Sequence, residues 1–390
     1  MAQPIRKNIK DAHPDITEES TYTLLVDGNN LLRIAFQDTK VNTRGEHYGA
    51  IFQFLLQLRM MLQKKVYDYI YVVFDDEDSG ILRYELYNDY KANREKRYEE
   101  HTDLSDYGKA VEEKLKSWRN KHSSKPVRAK SDAERLVDEN FARERDTLLE
   151  YFNELYIRWI FNDKTEGDDI IAYYVKNKKP NDKVVIMSCD EDMTQLISDT
   201  VCVYNHRLKK YISKDNFKKI KGFPYENVLI KKIFCGDASD NIKNIKGVSE
   251  ARLYELMPEM KARPVTINEI KDRAKEKIEE RKKEKKKPLQ WHVNIVEGVC
   301  NGNYDGDFYE INEKLINLSN PLLTEDAEEE IRDMMYAPQD PEGRSFENLY
   351  ERICEDDITE LRDSNRFSTF FEPFKEFIDK EIKYFKKQNK

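Results

Sequence analysis

Four short apolar runs, each followed closely by acids, constrain what this chain can fold into. They are Tyr22–Val26, Tyr69–Phe74, Ile157–Phe161 and Lys183–Ser188. Each is bounded by turn-forming or charged residues, as expected of buried strands. Between the first two lie Leu31–Phe36 and Gly49–Leu62, whose apolar residues recur at helical spacing. Strand, helix, strand in that order calls for a right-handed crossover and a parallel sheet. Thr200–Tyr204 and Lys210–Ile212 read as short edge strands.

The acids fall at equivalent places. Asp27, Asp75 and Asp190 follow buried runs, and Glu166-Gly-Asp168-Asp169 follows the third. In an open parallel sheet, ligands bind in the crevice beyond the carboxyl ends of the strands. Asp192, two residues after Asp190, reaches the same side if the backbone there is extended. Any one of these acids serves equally as a helix cap. Three carboxylates within four residues repel one another and raise each other's pKa. The set is therefore read as a divalent-metal site, and its oxygen-only donors favour magnesium or manganese over zinc.

Composition narrows the alternatives. The 390 residues suffice for one large or two ordinary domains, with 39% hydrophobic and 36% charged residues. A net charge of −8 excludes a simple basic nucleic-acid coat. No apolar run is long enough to span a membrane, and residues 1–20 lack the apolar stretch of a secretory signal. Cys189, Cys202, Cys235, Cys300 and Cys354 form no CxxC pair, which points to reduced thiols in a cytoplasm. The histidines are scattered, with no HExxH. Residues 1–20 read as a flexible tail. Residues 88–130 are dense in charge and poor in aliphatics, so they read as exposed helices or as a stretch that orders on a ligand. Helical patterns follow at 131–156, 227–235 and 250–256, and residues 271–287 read as a solvated helix or exposed charged insertion.

Six pieces in order resemble the 5′ nuclease family, which includes flap endonucleases and phage 5′-3′ exonucleases, most closely the phage RNase H branch. They are Leu25-Val-Asp27-Gly-Asn, Val73-Phe-Asp75, Tyr90-Lys91-Ala-Asn-Arg94, Glu166-Gly-Asp168-Asp169, Ser188-Cys-Asp190-Glu-Asp192 and Gly236-Asp237-Ala-Ser-Asp240-Asn241. The resemblance spans about residues 21 to 256. It implies a PIN-like α/β fold: a central, mainly parallel twisted sheet with helices on both faces. The α/β nuclease domain would be 21–235 with a helical arch at 88–130. A helical C-terminal domain, 236–390, would contain a helix-three-turn-helix at 236–256.

The resemblance also implies a site. Asp27, Asp75, Glu166 and Asp168 would surround one magnesium, replaceable by manganese. Asp169, Asp190, Asp192, Asp237 and Asp240 would hold a second, partly through water. Lys91 and Arg94 would contact the scissile phosphate, and Tyr90 would stack on a base. Lys243 and Lys246 would touch duplex phosphates. The family's helix-three-turn-helix usually reads Gly-Val-x-Gly-Ile-Gly, and here Asn244-Ile-Lys246-Gly247-Val248-Ser249 lacks two of the three glycines, which puts its potassium ion in question. The implied activity is 5′-3′ exonuclease or flap endonuclease cleavage of DNA flaps, nicked duplexes or RNA primers in replication and repair, by a monomer. Implied partners are single-stranded-DNA-binding protein and a sliding clamp. Phe367-Ser-Thr-Phe370-Phe371 faintly resembles a clamp-binding peptide. The rival readings are a non-catalytic DNA-junction binder of the same fold and a different acid-rich ribonuclease.

Overall fold

The computed structural model describes residues 20–65, 67–76, 79–92 and 132–388, with side chains of the last segment from residue 136. The expected arch at 88–130 lies almost wholly outside the described residues, as does the expected tail.

All six expected strands form: β1 (Thr21–Asp27), β2 (Tyr69–Val73), β3 (Arg158–Ile160), β4 (Asp182–Met187), β5 (Val201–Asn205) and β6 (Lys210–Ile212). They build one sheet in the order β3-β2-β1-β4-β5-β6, parallel except for the β5–β6 pair. Leu25 of β1 pairs with Tyr71 on one side and Ile186 on the other. The chain runs outward from β1 first in one direction and later in the other. The crevice at the carboxyl ends of β1, β2 and β4 is therefore the topological switch point.

Period-two alternation sends β1 side chains to two cores. Leu24 and Val26 join one, and Leu25 joins the other. On the first face pack α1 (Gly28–Ala35), α2 (Gly49–Lys64) and α4 (Asp132–Glu154), with Leu31, Phe54, Leu58 and Phe152 buried. On the second lies α5 (Gly167–Asn177), through Ile170 and Ile171. A short helix α3 (Ile81–Leu86) precedes the Tyr90 segment. After α6 (Lys214–Lys221), a third core gathers α7 (Asn227–Cys235), α8 (Glu250–Leu256), α9 (Ile267–Lys283), α10 (Gln290–Glu297) and α11 (Phe308–Ile316). Within 236–256, where a helix-three-turn-helix was expected, turns follow α7 and lead into one helix, α8. The charged run at 271–287 is mostly the exposed side of α9, anchored by buried Ile270 and Ala274 and started by a Thr266/Glu269 capping box.

The rest of the chain returns to the sheet. Helix α12 (Glu325–Tyr336) places Ile331 and Met335 in the second core. Helices α13 (Phe346–Glu355) and α14 (Ser364–Gln388) place Ile353, Phe371 and Phe374 in the first. Packing draws the boundary elsewhere than 236: the helical core already includes Ile233 and Phe234 of α7, together with Tyr87 and Tyr90, and extends only to Ile316. Phe367, Phe370 and Phe371 are all buried, so the segment that resembled a clamp-binding peptide is part of the sheet's core and not an offered ligand. Among the described residues no helix is long and apolar enough to cross a membrane.

A buried ion pair ties the last helix to the sheet edge: Arg158 of β3 donates to Glu381 of α14 at 2.7 Å, with both side chains almost fully enclosed. Removing one partner strands the other charge. Glu381→Ala should cost about 3 kcal/mol in denaturant unfolding. A loss below about 0.5 kcal/mol would show that the pair does not anchor the helix.

Candidate active site

Asp27 is both helix cap and site acid. It ends β1, and its Oδ1 accepts from the Asn30 N–H at 3.0 Å at the start of α1. Its Oδ2 accepts from the Ser188 hydroxyl at 2.7 Å, which binds β1 to the end of β4. Gly28 allows this junction. A Cβ there would meet the Val73 carbonyl oxygen and the Phe74 ring at 2.7 Å, so only glycine fits. Asp75 is held between two elements, by the Asn29 amide at 2.8 Å and the Gly167 N–H at 2.6 Å. Asp190 follows β4. Its N–H donates to the Ser188 hydroxyl, and its Oδ1 accepts from the Asp192 N–H at 2.8 Å.

These acids act on one another. Burial and the charges of Asp75 and Asp190 push Asp27 up to about 7, against the hydrogen bonds from Ser188 and Asn30. Asp168, at the start of α5, is raised well above the usual carboxylate range by burial and by Asp27, Asp190, Asp75 and Glu166. The structure thus brings together Asp27, Asp75, Asp168 and Asp190 at the carboxyl edge of the sheet.

Glu166 is treated differently. Burial would raise it, but the Arg83 guanidinium and the Lys91 ammonium overcome that and hold it at about 2. Arg83 lies 2.9 Å from Glu166, and Lys91 lies 2.5 Å from it. The Tyr90 hydroxyl donates to Glu166 at 2.8 Å. This corrects the role expected for Tyr90. The ring is fully buried and fixes Glu166, and it is not available to stack on a base. Lys91 sits at the rim with 17% of its side chain exposed, in a left-handed backbone turn whose N–H donates to the Asp240 carbonyl. Arg94 lies outside the described residues.

Asp169 does not join the acid group. It is buried, ion-paired to Arg83, and accepts the Leu322 N–H at 3.0 Å. Its place is that of a structural counter-charge.

Asp192 and Asp237 form a second pair, joined by the Lys232 ammonium, which ion-pairs with Asp192 and lies 2.6 Å from Asp237. The Asp240 carboxylate accepts from the Tyr90 hydroxyl at 3.4 Å. Gly236 turns the chain from α7 into this loop at φ +71°, where a Cβ would meet the Ile242 carbonyl oxygen at 2.5 Å. Lys246 is exposed, whereas the Lys243 ammonium donates to the Asn241 side chain. Ser249, at a position where the family motif usually has glycine, caps α8 by accepting the Arg252 N–H. Sequence reasoning missed Arg83, Ser188 and Lys232. A lysine inside the apolar run Val228–Phe234, five residues before Asp237, was the available signal for the last.

As placed, no three Asp, Glu, His or Cys side chains among the described residues converge tightly enough to hold one ion. The donor chemistry nevertheless fits a hard divalent cation: Asp27, Asp75, Asp168 and Asp190 offer only oxygen donors, burial and neighbouring carboxylates raise Asp27 and Asp168, and such an ion reverses that cost.

Residues 22–222 match the family model described as the 5′-3′ exonuclease N-terminal resolvase-like domain, and the chain belongs to this 5′ nuclease family. It is 25% identical over 240 residues to a 5′-3′ exonuclease of Mycoplasmopsis pulmonis, covering 61% of this chain and 67% of that protein. It is 26% identical over 268 residues to DNA polymerase I of Bacillus subtilis, covering 66% of this chain but only 26% of the polymerase. Among solved structures, a bacteriophage T5 flap endonuclease complexed with DNA and metal ions aligns over 92% of this chain and 99% of that one, with TM-score 0.54 and 16% identity. The T5 5′-exonuclease with bound zinc aligns over the same shares with TM-score 0.52 and 16% identity. At this identity the likeness shows a shared PIN-like fold.

Carboxylates raised toward neutrality must lose protons to bind a cation. Manganese titrated calorimetrically at about pH 6.5 should show a buffer-dependent enthalpy from proton release, fading by about pH 8.5 as Asp27, with its pKa near 7, is already ionised. A heat independent of buffer at the lower pH would contradict the raised carboxylates.

Proposed function

We propose that this chain is a metal-dependent nuclease that hydrolyses phosphodiesters near the 5′ end of DNA, on flaps, nicked duplexes or RNA primers. The observation that supports this reading is the grouping of Asp27, Asp75, Asp168 and Asp190 near the switch point of the sheet, close enough to act on one another, with Lys91 beside Glu166. Asp27, Asp75, Asp168 and Asp190, with Glu166 beside them, would hold one magnesium or manganese ion. Asp192, Asp237 and Asp240 would serve a second. Such ions, when bound, supply an activated water, neutralise the phosphate and stabilise the leaving oxygen.

The chain's own residues prepare that chemistry. Ser188, Asn29 and the Gly167 N–H fix the carboxylate oxygens, so little reorganisation is needed when charge develops. Arg83 and Tyr90 hold Glu166, and Glu166 holds the Lys91 ammonium where a scissile phosphate would approach. Lys91 thus complements developing negative charge, while Lys246 meets the duplex backbone. No serine or histidine nucleophile is required. Magnesium, a role in replication and repair, and activity on RNA–DNA hybrids belong to this proposal. So does partnership with a single-stranded-DNA-binding protein.

The competing reading is a DNA-junction binder that kept the fold without the chemistry. The retained acids at Asp27, Asp75, Asp168 and Asp190 weigh against it. A 5′-labelled flap incubated with magnesium separates the two. Wild type should release short 5′ products. Asp190→Ala should cut single-turnover cleavage by about a hundredfold or more while binding DNA at least as tightly, since the lost carboxylate also repelled phosphate. Binding without magnesium-dependent cleavage by the wild type would favour the junction binder.

A further inference from the structure

Lys232 places a positive charge between two of the acids proposed to serve the second ion. It sits in the last turn of α7, and its ammonium touches acids from two separate elements: Asp192 after β4, and Asp237 after α7. The three side chains are 13%, 17% and 12% exposed, so the charges are largely shielded from water and interact strongly. The adjacent Lys231 is directed elsewhere, toward Glu191 at 3.8 Å and Glu250 at 4.0 Å. Asp237 is also fixed by the Ser239 N–H at 2.9 Å and its hydroxyl at 2.5 Å, which leaves the long lysine stem as the adaptable partner.

We propose that Lys232 is a built-in counter-ion of the Asp192–Asp237 pair that competes with the second divalent ion. The inference rests on the metal-dependent reading above. An ammonium and a divalent ion in one shielded site repel each other, so the second ion binds only as the lysine swings out. A phosphate nearby offers the displaced ammonium a new partner. Occupancy of the second site then rises when nucleic acid is bound, and the chain resists taking up both ions without substrate.

The test counts manganese ions by calorimetry and by the free-ion EPR signal, without substrate. Wild type should bind one manganese tightly and a second weakly. Lys232→Met keeps the stem and removes the charge, and should bind the second ion at least about tenfold more tightly with the first unchanged. Lys232→Arg keeps the charge and should leave the second ion weak. If the Met variant does not fold, Lys232→Gln, which keeps a donor for both acids, carries the same expectation. An unchanged or lost second site in the uncharged variants overturns the proposal and makes Lys232 a structural prop. Absence of any manganese binding in every form, wild type included, would instead remove the metal-dependent reading beneath it.

Discussion

Four carboxylates without a lysine or arginine partner among the described residues stand at the end of a hydrophobic sheet, and their mutual repulsion shapes everything near them. Asp27, Asp75, Asp168 and Asp190 arrive there because β1, β2 and β4 are parallel and in register, and because α5 begins beside them. The sheet supplies apolar burial strong enough to hold them together. Burial of Asp27 and Asp168 makes those two charges costly, which is why Asp27 is pushed up to about 7.

The remaining acids are distributed by which cation each has. Arg83 takes Glu166 and Asp169, Lys91 also takes Glu166, and Lys232 takes Asp192 and Asp237. A gradient results across a few residues: fully neutralised acids in the interior, a lysine-bridged pair on one flank, and uncompensated acids in the middle. A divalent cation is the species that such a middle group binds best. Lys91 completes the picture by keeping a positive charge at the rim, held by Glu166, whose pKa is lowered to about 2.

Much of this was legible in the sequence. The six strands were found because apolar runs of strand length stood between turn residues, and their closing acids marked the crevice. What failed depended on tertiary surroundings. Tyr90 looked like an exposed aromatic beside cations, yet its ring is buried and its hydroxyl serves Glu166. Asp169 looked like a third acid of one cluster. On a helix, however, successive residues point about 100° apart, and Asp169 turns to Arg83 while Asp168 faces the crevice. Phe367, Phe370 and Phe371 resembled a docking peptide because a short motif cannot reveal that its own sheet already covers it. Arg83 and Lys232 were overlooked because a cation in a helix usually lies on a solvated face.

The central claim is that repulsion among the middle acids is a folding cost which a divalent cation offsets. Denaturant stability of wild type and Asp168→Asn, each with and without manganese, tests it most directly. Asp168 is raised in the folded state, so its ionised form opposes folding above its unfolded-state pKa, and the opposition fades as pH falls. The account predicts that at neutral pH without manganese the variant is the more stable protein. With manganese the order should reverse, because wild type gains stability that the variant cannot. A variant less stable than wild type without the ion, and equally responsive to it, would contradict the account.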